Sequence, residues 1–277
     1  MKPTRKQIQR QVRVALEEDI GNGDVTSKLL DPKQVSHAFV ITREPGILCG
    51  TDWFDECFYQ INNDIRIHWY HHDGDCIEMH QRLCDISGPT AALLTAERTA
   101  LNFLQTLSAT ATLTNLYVQQ LSGTKVRILD TRKTIPGLRL AQKYAVSCGG
   151  GMNHRLGLYD MILIKENHIK SCGSVTLALQ KAFEIQPAEN VEIEVETLDE
   201  LREALAAGAK RILLDNFTLD ALRDAVEINQ RYALLEVSGN VTLQTLKQLA
   251  DTGIDFISSG ALTKNLQALD LSMQLQD

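Results

Sequence analysis

Basic side chains are concentrated between residues 130 and 168 of a chain whose formal net charge is -7. Two cations about 6 Å apart repel each other by roughly 3 kcal/mol at an effective dielectric constant of about 20, and a bound polyanion removes that repulsion. A basic run is ordinarily a solvated surface loop, but the motifs around this one favour a binding site for a compact anion. The basic residues surround the turn Gly149-Gly150-Gly151 and are Arg132, Lys133, Arg139, Lys143, His154, Arg155, Lys165 and His168.

Six apolar runs after Gly123 alternate with segments of helical periodicity, which is typical of βα units and a parallel sheet. In a parallel α/β barrel the reacting residues lie at the carboxyl ends of the strands, where the βα loops gather. Almost every run ends in chemically active side chains, so the sequence predicts one converging site on an α/β barrel. The runs end at Asp130-Thr131-Arg132-Lys133, Lys165-Glu166-Asn167-His168, Glu194 to Glu196, Asp215-Asn216, Ser238-Gly239-Asn240 and Ser258-Ser259-Gly260.

The chemistry of these strand ends changes along the chain, from cations to two carboxylates and then to two Ser-Gly turns. Glu194 and Asp215 are placed to hold Mg²⁺, ribose hydroxyls or a developing positive charge on a sugar carbon. In an empty site they are expected to pair with Lys133 or Lys165. Ser-Gly turns that run into helices present backbone N–H groups, which suits a phosphate. The order therefore indicates a phosphorylated sugar as a ligand.

The N-terminal part of the chain shows different patterns. Alternating runs at 36–41 and 65–70 predict half-buried antiparallel strands. An apolar helix follows from Thr90 to Leu121, with Glu97 and Arg98 as its charged residues. Because an unpaired buried charge costs several kcal/mol, this pair indicates either an ion-pair network at a subunit contact or an arginine aimed at a ligand. The helix is too rich in Thr, Asn, Gln and Ser to span a membrane.

Composition excludes several classes of protein. The chain has 277 residues, of which 44% are hydrophobic and 23% charged, which is typical of a globular protein with one large or two ordinary domains. No secretory apolar region follows the basic N-terminus, so a cytoplasmic protein is expected. The acidic balance disfavours nucleic acid as a partner. The six cysteines contain no C-x-x-C pair, and neither zinc nor redox chemistry is predicted from them.

Three segments resemble the motif series of the quinolinate phosphoribosyltransferase family, namely TRKTIPGLR at 131–139, GGGMNHR at 149–155 and KENH at 165–168. The similarity covers nearly the whole chain, from Glu18 onward, and motifs this long and ordered are specific. Further matches in the same order are Ala96 to Asn102, Glu194, Leu214 to Phe217, Ser238-Gly239 and Ser259-Gly260.

This resemblance implies an N-terminal open-sandwich α+β domain followed by an incomplete, seven-stranded parallel α/β barrel. We place the first domain at residues 1–109 and the barrel at 110–277, and we expect the tail at about 266–277 to pack back on the N-terminal domain. The family also implies a homodimer, or a higher oligomer built from it, with shared active sites. Arg98 matches the arginine that enters the neighbouring subunit's site.

The implied reaction transfers the phosphoribosyl group of 5-phosphoribosyl pyrophosphate (PRPP) to the ring nitrogen of quinolinate. Carbon dioxide and pyrophosphate are lost, and nicotinate mononucleotide is formed for NAD biosynthesis. Decarboxylation needs no extra organic cofactor, because the cationic pyridinium ring holds the electrons that the departing carboxyl group leaves. Mg²⁺, bound together with PRPP, is the expected cofactor.

The residue types fit these roles. Planar arginine groups grip carboxylates in a bidentate way, and each charged hydrogen bond contributes roughly 1.5–3 kcal/mol. Lys133 and Lys165 are compact charges suited to lie between the diacid and the PRPP phosphates, where they neutralise the departing pyrophosphate. The residues assigned to quinolinate are Arg98, Arg132, Lys133, His154, Arg155 and Lys165.

The PRPP half of the site is assigned to the later strands. Glu194 and Asp215 are expected to take Mg²⁺-PRPP and the ribose hydroxyls, with the metal held directly or through PRPP, and to stabilise an oxocarbenium-like ribose. Together with Lys133 and Lys165 they form the predicted catalytic set. The residues assigned to the 5′-phosphate are Ser238, Gly239, Asn240, Ser259, Gly260 and Ala261.

Three alternatives remain open at this point. A related phosphoribosyltransferase with another acceptor, such as nicotinate, would leave one arginine of the clamp without a carboxylate partner. A Schiff-base barrel lyase would use Lys165 as its nucleophile, but it explains neither the Ser-Gly turns nor the arginines. A non-catalytic phosphosugar-binding protein would not need both Glu194 and Asp215.

Overall fold

The computed structural model describes residues 2–276. Its helices, in chain order, are α1 (Arg5–Ile20), α2 (Thr51–Ile61), α3 (Thr90–Gln120), α4 (Arg139–Cys148), α5 (Glu166–Cys172), α6 (Val175–Phe183), α7 (Leu198–Ala206), α8 (Leu219–Asn229), α9 (Leu246–Ala250) and α10 (Ala261–Lys264). Its strands are β1 (Val35–Thr42), β2 (Gly46–Ile47), β3 (Arg66–Trp69), β4 (Cys76–Ile77), β5 (Arg82–Pro89), β6 (Arg127–Leu129), β7 (Ile162–Ile164), β8 (Val191–Val195), β9 (Arg211–Asp215), β10 (Leu234–Ser238), β11 (Phe256–Ser258) and β12 (Leu271–Leu275).

The chain divides into two compact units. Unit 1 comprises Met1–Asn115, Ile135–Gly150 and Asn265–Asp277, and unit 2 comprises Leu116–Thr134 and Gly151–Lys264. These units differ from a single division at residues 109 and 110, because unit 1 also takes in two later segments. Met1 and Asp277, the outer ends of the two predicted domains, lie outside the described residues.

Unit 1 is an antiparallel sheet with helices on one face. Its four strands lie in the order β12-β1-β5-β3. Side chains alternate along β1, where Ala38 and Val40 are at most 1% exposed. They belong to the same apolar core as Val12 of α1 and Trp53 of α2, neither of which is exposed. This arrangement is the open sandwich that the resemblance implies.

The segment after residue 266 also belongs to this sheet. β12 runs antiparallel to β1, with Ala38 paired with Leu275 and Thr42 paired with Leu271. The backbone N–H of Gln276 continues the ladder by donating to the carbonyl oxygen of His37 at 2.8 Å. The tail therefore forms an edge strand of the N-terminal sheet.

Unit 2 is built on a parallel sheet of six strands in the order β6-β11-β10-β9-β8-β7, in agreement with the six apolar runs. The seventh strand that the family implies is present only as an isolated parallel bridge between Leu129 and Met152. The segment leaves the sheet there because the Asp130 side chain accepts from the Asn153 amide at 2.7 Å and from the His154 backbone N–H at 2.9 Å.

Alternation along the parallel strands decides which side chains face the helices. In β8, Val191, Ile193 and Val195 are at most 1% exposed, and successive residues of a strand point to opposite faces. Glu192 and Glu194 therefore occupy the other face, which is the interior of the barrel. Among residues 2–276, none of the helices has the apolar length that crossing a bilayer requires.

Candidate functional site

A cavity of about 300 Å³ lies at the carboxyl ends of the strands of unit 2, where the sequence predicts the site. A larger cavity, of about 590 Å³, lies in unit 1 between α1 and the segment 136–140, but it contains none of the predicted site residues. The unit 2 cavity is lined by Thr131, Arg132, Lys133, His154, Arg155, Leu163, Lys165, Glu194, Leu213, Glu236, Ser238 and Ser258.

The backbone of Lys133 is held from both sides. Its N–H donates to Thr131 Oγ1 at 3.0 Å, and its carbonyl oxygen accepts from Thr263 Oγ1 at 2.7 Å. Gly260 lies against the lysine stem, since a Cβ atom there would be 2.9 Å from Lys133 Cδ. Glycine at position 260 therefore leaves room for the Lys133 side chain to reach the cavity.

His154 lines the cavity, but both of its ring nitrogens are engaged by the protein. The backbone N–H of Arg155 donates to Nδ1 at 2.7 Å, so this nitrogen keeps a lone pair and the ring hydrogen lies on Nε2. Nε2 is 2.7 Å from a carboxylate oxygen of Glu192. In this arrangement His154 orients the start of the Arg155 segment, and a direct grip on a carboxylate would require its ring to turn.

Arg155 is crowded against another cation. Burial, and then the charge of Arg132, lowers the pKa of the Arg155 guanidinium, while Asp160 and Glu192 oppose the shift. Its Nη1 donates to the Met161 carbonyl oxygen at 3.4 Å. Two arginines held this close repel each other, and a ligand with two carboxylates removes the repulsion.

Lys165 and Glu194 form an ion pair across the mouth of the cavity, with Nζ and Oε2 2.5 Å apart. The lysine side chain is 46% exposed and the glutamate side chain 12% exposed. The expectation that Glu194 pairs with a lysine is therefore confirmed for Lys165. Surface ion pairs are weak, so this one is easily exchanged for a ligand.

Carboxylates collect beside this ion pair. Asp215 ends β9 and accepts from the side-chain amide of Asn216 at 2.8 Å, but it does not line the cavity. Local desolvation, followed by the neighbouring charges of Glu166 and Glu200, raises the pKa of Glu196. The site thus has a cationic side and an acidic rim.

The first Ser-Gly turn differs from its prediction. Ser238 lines the cavity, but Gly239 and Asn240 take φ values of +96° and +50°, and the next helix begins only at Leu246. A Cβ atom on Gly239 would lie 2.3 Å from Asn216 Oδ1, so only glycine fits there. The left-handed backbone turns the chain away before a helix can start, so no helix N-terminus follows this turn directly.

The second Ser-Gly turn does lead into a helix. Ser259 is buried and Gly260 half-buried, and α10 begins at the next residue, Ala261. The backbone N–H of Ala261 donates to Ser259 Oγ at 3.3 Å. None of these three residues lines the cavity, whereas Ser258, which the sequence assignment omitted, does.

Arg98 belongs to unit 1. It is exposed on α3, and the neighbouring Glu97 is half-buried. Burial raises the pKa of Glu97, and the charge of Arg98 opposes that shift. An exposed arginine on a largely buried helix remains free to meet a ligand or a second subunit.

Two buried acids, Glu192 and Glu236, were not among the site residues predicted from the sequence. They are 0% and 1% exposed, and His154 Nε2 lies 2.7 Å from an oxygen of Glu192 and 3.7 Å from an oxygen of Glu236. Burial, and then the charge of Glu192, raises the pKa of Glu236 well above the usual glutamate range, while Ser258 and then Arg211, whose Nη2 is 4.0 Å away, oppose this shift. The sequence signal was the presence of acids inside apolar runs, two in VEIEV and one in LLEV.

Comparisons with known proteins agree with this geometry. Residues 24–108 match the N-terminal domain of quinolinate phosphoribosyl transferase, and residues 110–274 match its C-terminal domain. The probable nicotinate-nucleotide pyrophosphorylase [carboxylating] of Bacillus subtilis is 41% identical over 93% of this chain and 90% of its own length. The chloroplastic nicotinate-nucleotide pyrophosphorylase [carboxylating] of Arabidopsis thaliana is 40% identical over 95% of this chain and 81% of its own.

A solved structure gives the same result. The nicotinate-nucleotide pyrophosphorylase of Francisella tularensis superimposes with a TM-score of 0.96 and 48% sequence identity, covering 99% of this chain and 98% of that one. The two domain matches together span nearly the whole sequence in the order of the family. This chain therefore belongs to the quinolinate phosphoribosyl transferase family.

Proposed function

We propose that this protein is a quinolinate phosphoribosyltransferase that forms nicotinate mononucleotide, pyrophosphate and carbon dioxide from quinolinate and PRPP in NAD biosynthesis. The observation that carries the proposal is the cavity of unit 2, in which Arg132, Lys133, Arg155 and Lys165 face Glu194. The family membership and the named relatives support the same reaction. The cysteines are free among the described residues, which favours a reducing, cytoplasmic compartment.

A diacid fits the cationic side of the cavity better than a monoacid. Burial and Arg132 already disfavour the charge on Arg155, so a ligand with one carboxylate would leave that repulsion partly in place. Two adjacent carboxylates let each arginine form its own forked contact. Quinolinate is therefore favoured over nicotinate as the acceptor.

A Schiff-base mechanism at Lys165 is disfavoured by its ion pair. Lys165 Nζ contacts Glu194 Oε2 at 2.5 Å, an arrangement that engages an ammonium group. A Schiff-base lysine reacts as the free amine. In the proposed reaction the ammonium group of Lys165 releases Glu194 and binds the phosphates of PRPP instead.

The chain's own residues supply positioning and charge. Lys133, held by Thr131 and Thr263, and Lys165 would bind the departing pyrophosphate. Glu194 would stabilise the positive charge that develops on the ribose as the bond to pyrophosphate breaks. Once the ring nitrogen is ribosylated, the pyridinium holds the electron pair that the leaving carbon dioxide provides. Contacts that stabilise both carboxylates equally would slow that loss.

Mg²⁺ fits the acidic rim by the chemistry of its donors. Glu194 and Asp215 offer hard carboxylate oxygens, the ligand type that Mg²⁺ prefers, together with substrate phosphates. Desolvation is the main cause of the raised pKa of Glu196, and the charges of Glu166 and Glu200 add to it; a bound cation would offset that added negative charge. Bound with PRPP, Mg²⁺ would supply charge neutralisation for the pyrophosphate.

The test of the proposed function incubates the purified protein with Mg²⁺, PRPP and either quinolinate or nicotinate, and follows nicotinate mononucleotide and released carbon dioxide. Both signals are expected from quinolinate alone. Turnover of nicotinate without carbon dioxide would contradict the diacid assignment. Turnover of neither, combined with borohydride trapping of a carbonyl substrate, would favour the Schiff-base alternative.

We further propose that the protein is a homodimer in which Arg98 completes the diacid clamp of the neighbouring subunit. Its exposure on α3 supports this role. Arg98→Ala is expected to abolish activity while leaving the fold intact, and Arg13→Ala, on an exposed position of α1, serves as the matched control. Mixing the Arg98→Ala and Lys133→Ala proteins should restore part of the activity through hybrid dimers. No recovery in verified heterodimers would contradict a shared site.

A further inference from the structure

Two cysteines that are far apart in the sequence meet inside unit 1. Cys49, just before α2, is 0% exposed, and Cys148, the last residue of α4, is half-buried. Their sulfur atoms and a carboxylate oxygen of Asp73 lie within 4.8 Å of one another. The cysteine spacing in the sequence gave no sign of this pair.

The surroundings give the two thiols different reactivity. The neighbouring Cys49 thiol lowers the pKa of the Cys148 thiol, while burial and the charge of Asp73 oppose this shift. Burial raises the pKa of the Cys49 thiol well above its usual range. An accessible, activated thiol next to a second, shielded thiol is the arrangement of redox-sensing cysteine pairs.

A metal ion suits this cluster less well, because Asp73 already has its hydrogen-bond partners. One of its oxygens accepts from the backbone N–H groups of Gly50 at 3.0 Å and Thr51 at 3.1 Å. The other accepts from the hydroxyl of Tyr144 at 2.9 Å. Asp73 therefore caps the start of α2, and a metal would have two sulfur ligands and no available carboxylate.

We propose that Cys49 and Cys148 form a reversible disulfide when the protein meets hydrogen peroxide. The thiolate sulfur of Cys148 attacks a peroxide oxygen, the O–O bond breaks, and a sulfenic acid forms as hydroxide takes up a proton and leaves as water. The sulfur of Cys49 then attacks the sulfur of Cys148, the S–O bond breaks, and a second water leaves. Two thiols are oxidised to one disulfide while one peroxide is reduced to two waters.

The bond would link the end of α4 to the segment that leads into α2. It would also fix the chain immediately before the turn Gly149-Gly150-Gly151. A dithiol reductant returns both cysteines to thiols by exchange at the same sulfur atoms. The site is thus a candidate for reversible oxidative modification that does not depend on the proposed function.

The test treats the full chain with limiting hydrogen peroxide, blocks the remaining thiols with N-ethylmaleimide, and maps the peptides by mass spectrometry. We expect a Cys49–Cys148 cross-linked peptide, lighter than the two thiol peptides by two hydrogen atoms and lost after dithiothreitol. Cys76, which is exposed on β4, is the internal control and should stay alkylated. Cys76→Ser should leave the cross-link unchanged, whereas Cys148→Ser should abolish it and keep Cys49 as a thiol.

A second variant keeps the test decisive if a substitution impairs folding. Cys49→Ser should leave a sulfenic acid on Cys148 that dimedone traps. The peptide mapping of the wild-type chain tests the disulfide without any substitution, so it remains informative if the variants do not fold. Peroxide treatment that consumes Cys76 before Cys148, or that oxidises Cys148 while Cys49 remains a thiol, would overturn the proposal. Protection of both thiols until a chelator is added would also overturn it, since that result indicates a bound metal.

Discussion

In unit 1 the cluster of Cys49, Asp73 and Cys148 contains one half-buried carboxylate, and in unit 2 the cluster of His154, Glu192 and Glu236 contains two buried carboxylates. The two clusters differ in how their carboxylate oxygens are satisfied. In unit 1, Asp73 accepts two helix N–H groups and the hydroxyl of Tyr144. In unit 2, Glu192 and Glu236 are 0% and 1% exposed, and their partners are His154 Nε2, 2.7 Å from Glu192, and Arg211 Nη2, 4.0 Å from Glu236. A carboxylate that accepts several hydrogen bonds stabilises a fold, whereas two buried carboxylates that share few partners cost stability. The comparison indicates that unit 1 uses its carboxylate for structure, while unit 2 keeps costly carboxylates beneath a binding cavity.

The largest expected effect comes from a substitution in the candidate site of unit 2. Lys165→Ala is expected to lower kcat/KM for PRPP by roughly a thousandfold, because it removes a preorganised charge aimed at the leaving group. The free energy of unfolding should change by less than about 1 kcal/mol, since the lysine makes an exposed ion pair. Steady-state kinetics and urea denaturation measure the two quantities. Lys170→Ala, on the exposed side of α5, is the control, and a kinetic loss below about tenfold would contradict the assignment.

Asp73→Ala tests whether the carboxylate in the unit 1 cluster has a structural role. We expect it to lower the free energy of unfolding by about 2–3 kcal/mol, because α2 loses its cap and the hydroxyl of Tyr144 loses its acceptor. Urea denaturation followed by circular dichroism measures this loss. Asp73→Asn, which keeps an acceptor oxygen, should retain most of the stability. If the alanine variant is as stable as the wild type, the two clusters do not differ as described.

Glu236→Gln tests the unit 2 cluster through pH. The folded-state pKa of Glu236 is raised, so its stabilising contribution is fully present below the unfolded pKa and is lost as pH rises through the folded value. The glutamine variant lacks this loss and should gain about 1–2 kcal/mol over the wild type toward alkaline pH. Thermal unfolding across the pH range measures the difference.

A matched control for this variant lies outside the cavity. Hydrogen bonds from the backbone and hydroxyl of Thr176 lower the pKa of Glu203. Its contribution is therefore present above the unfolded pKa and lost as pH falls through the folded value. Glu203→Gln should therefore be less stable than the wild type at neutral and alkaline pH alike, and this difference should shrink toward acid pH. The same alkaline gain in both variants would mean that burial of Glu236 is not its cause.

The smallest expected effect belongs to Tyr144→Phe. It removes one hydrogen bond to Asp73 and leaves the two helix N–H bonds in place, so a loss of about 1 kcal/mol in the free energy of unfolding is expected. Chemical denaturation of the two proteins under identical conditions measures it. A loss as large as that of Asp73→Ala would show that the tyrosine, rather than the helix cap, dominates the cluster.

The sequence predicts the six parallel strands because each has an apolar run that alternates with helical periods. It also predicts most of the cationic side of the cavity, since Lys165 directly follows β7 and Arg132 and Lys133 lie in the short loop after β6. The unit boundaries are harder to predict, because unit 1 takes in segments 135–150 and 265–277 through contacts that no local pattern encodes.

The two buried acids that sequence analysis did not identify show a second limit of prediction from sequence. Glu192 and Glu236 lie within runs of Val, Leu and Ile, where composition indicates only burial. Their meeting depends on strand order, since β8 and β10 both flank β9. The same holds for Cys49 and Cys148, whose contact arises from packing within unit 1. The left-handed turn at Gly239 and Asn240 depends in a similar way on the neighbouring side chain of Asn216.

The pairing of β12 with β1 has a consequence for the biosynthesis of the chain. Synthesis delivers β1 early and residues 271–275 late, so β1 has an unpaired edge while the parallel strands are still being produced. Exposed strand edges template pairing with other chains. Nascent or truncated chains that stop before Leu271 should therefore be the aggregation-prone species and the ones that chaperones bind during biosynthesis.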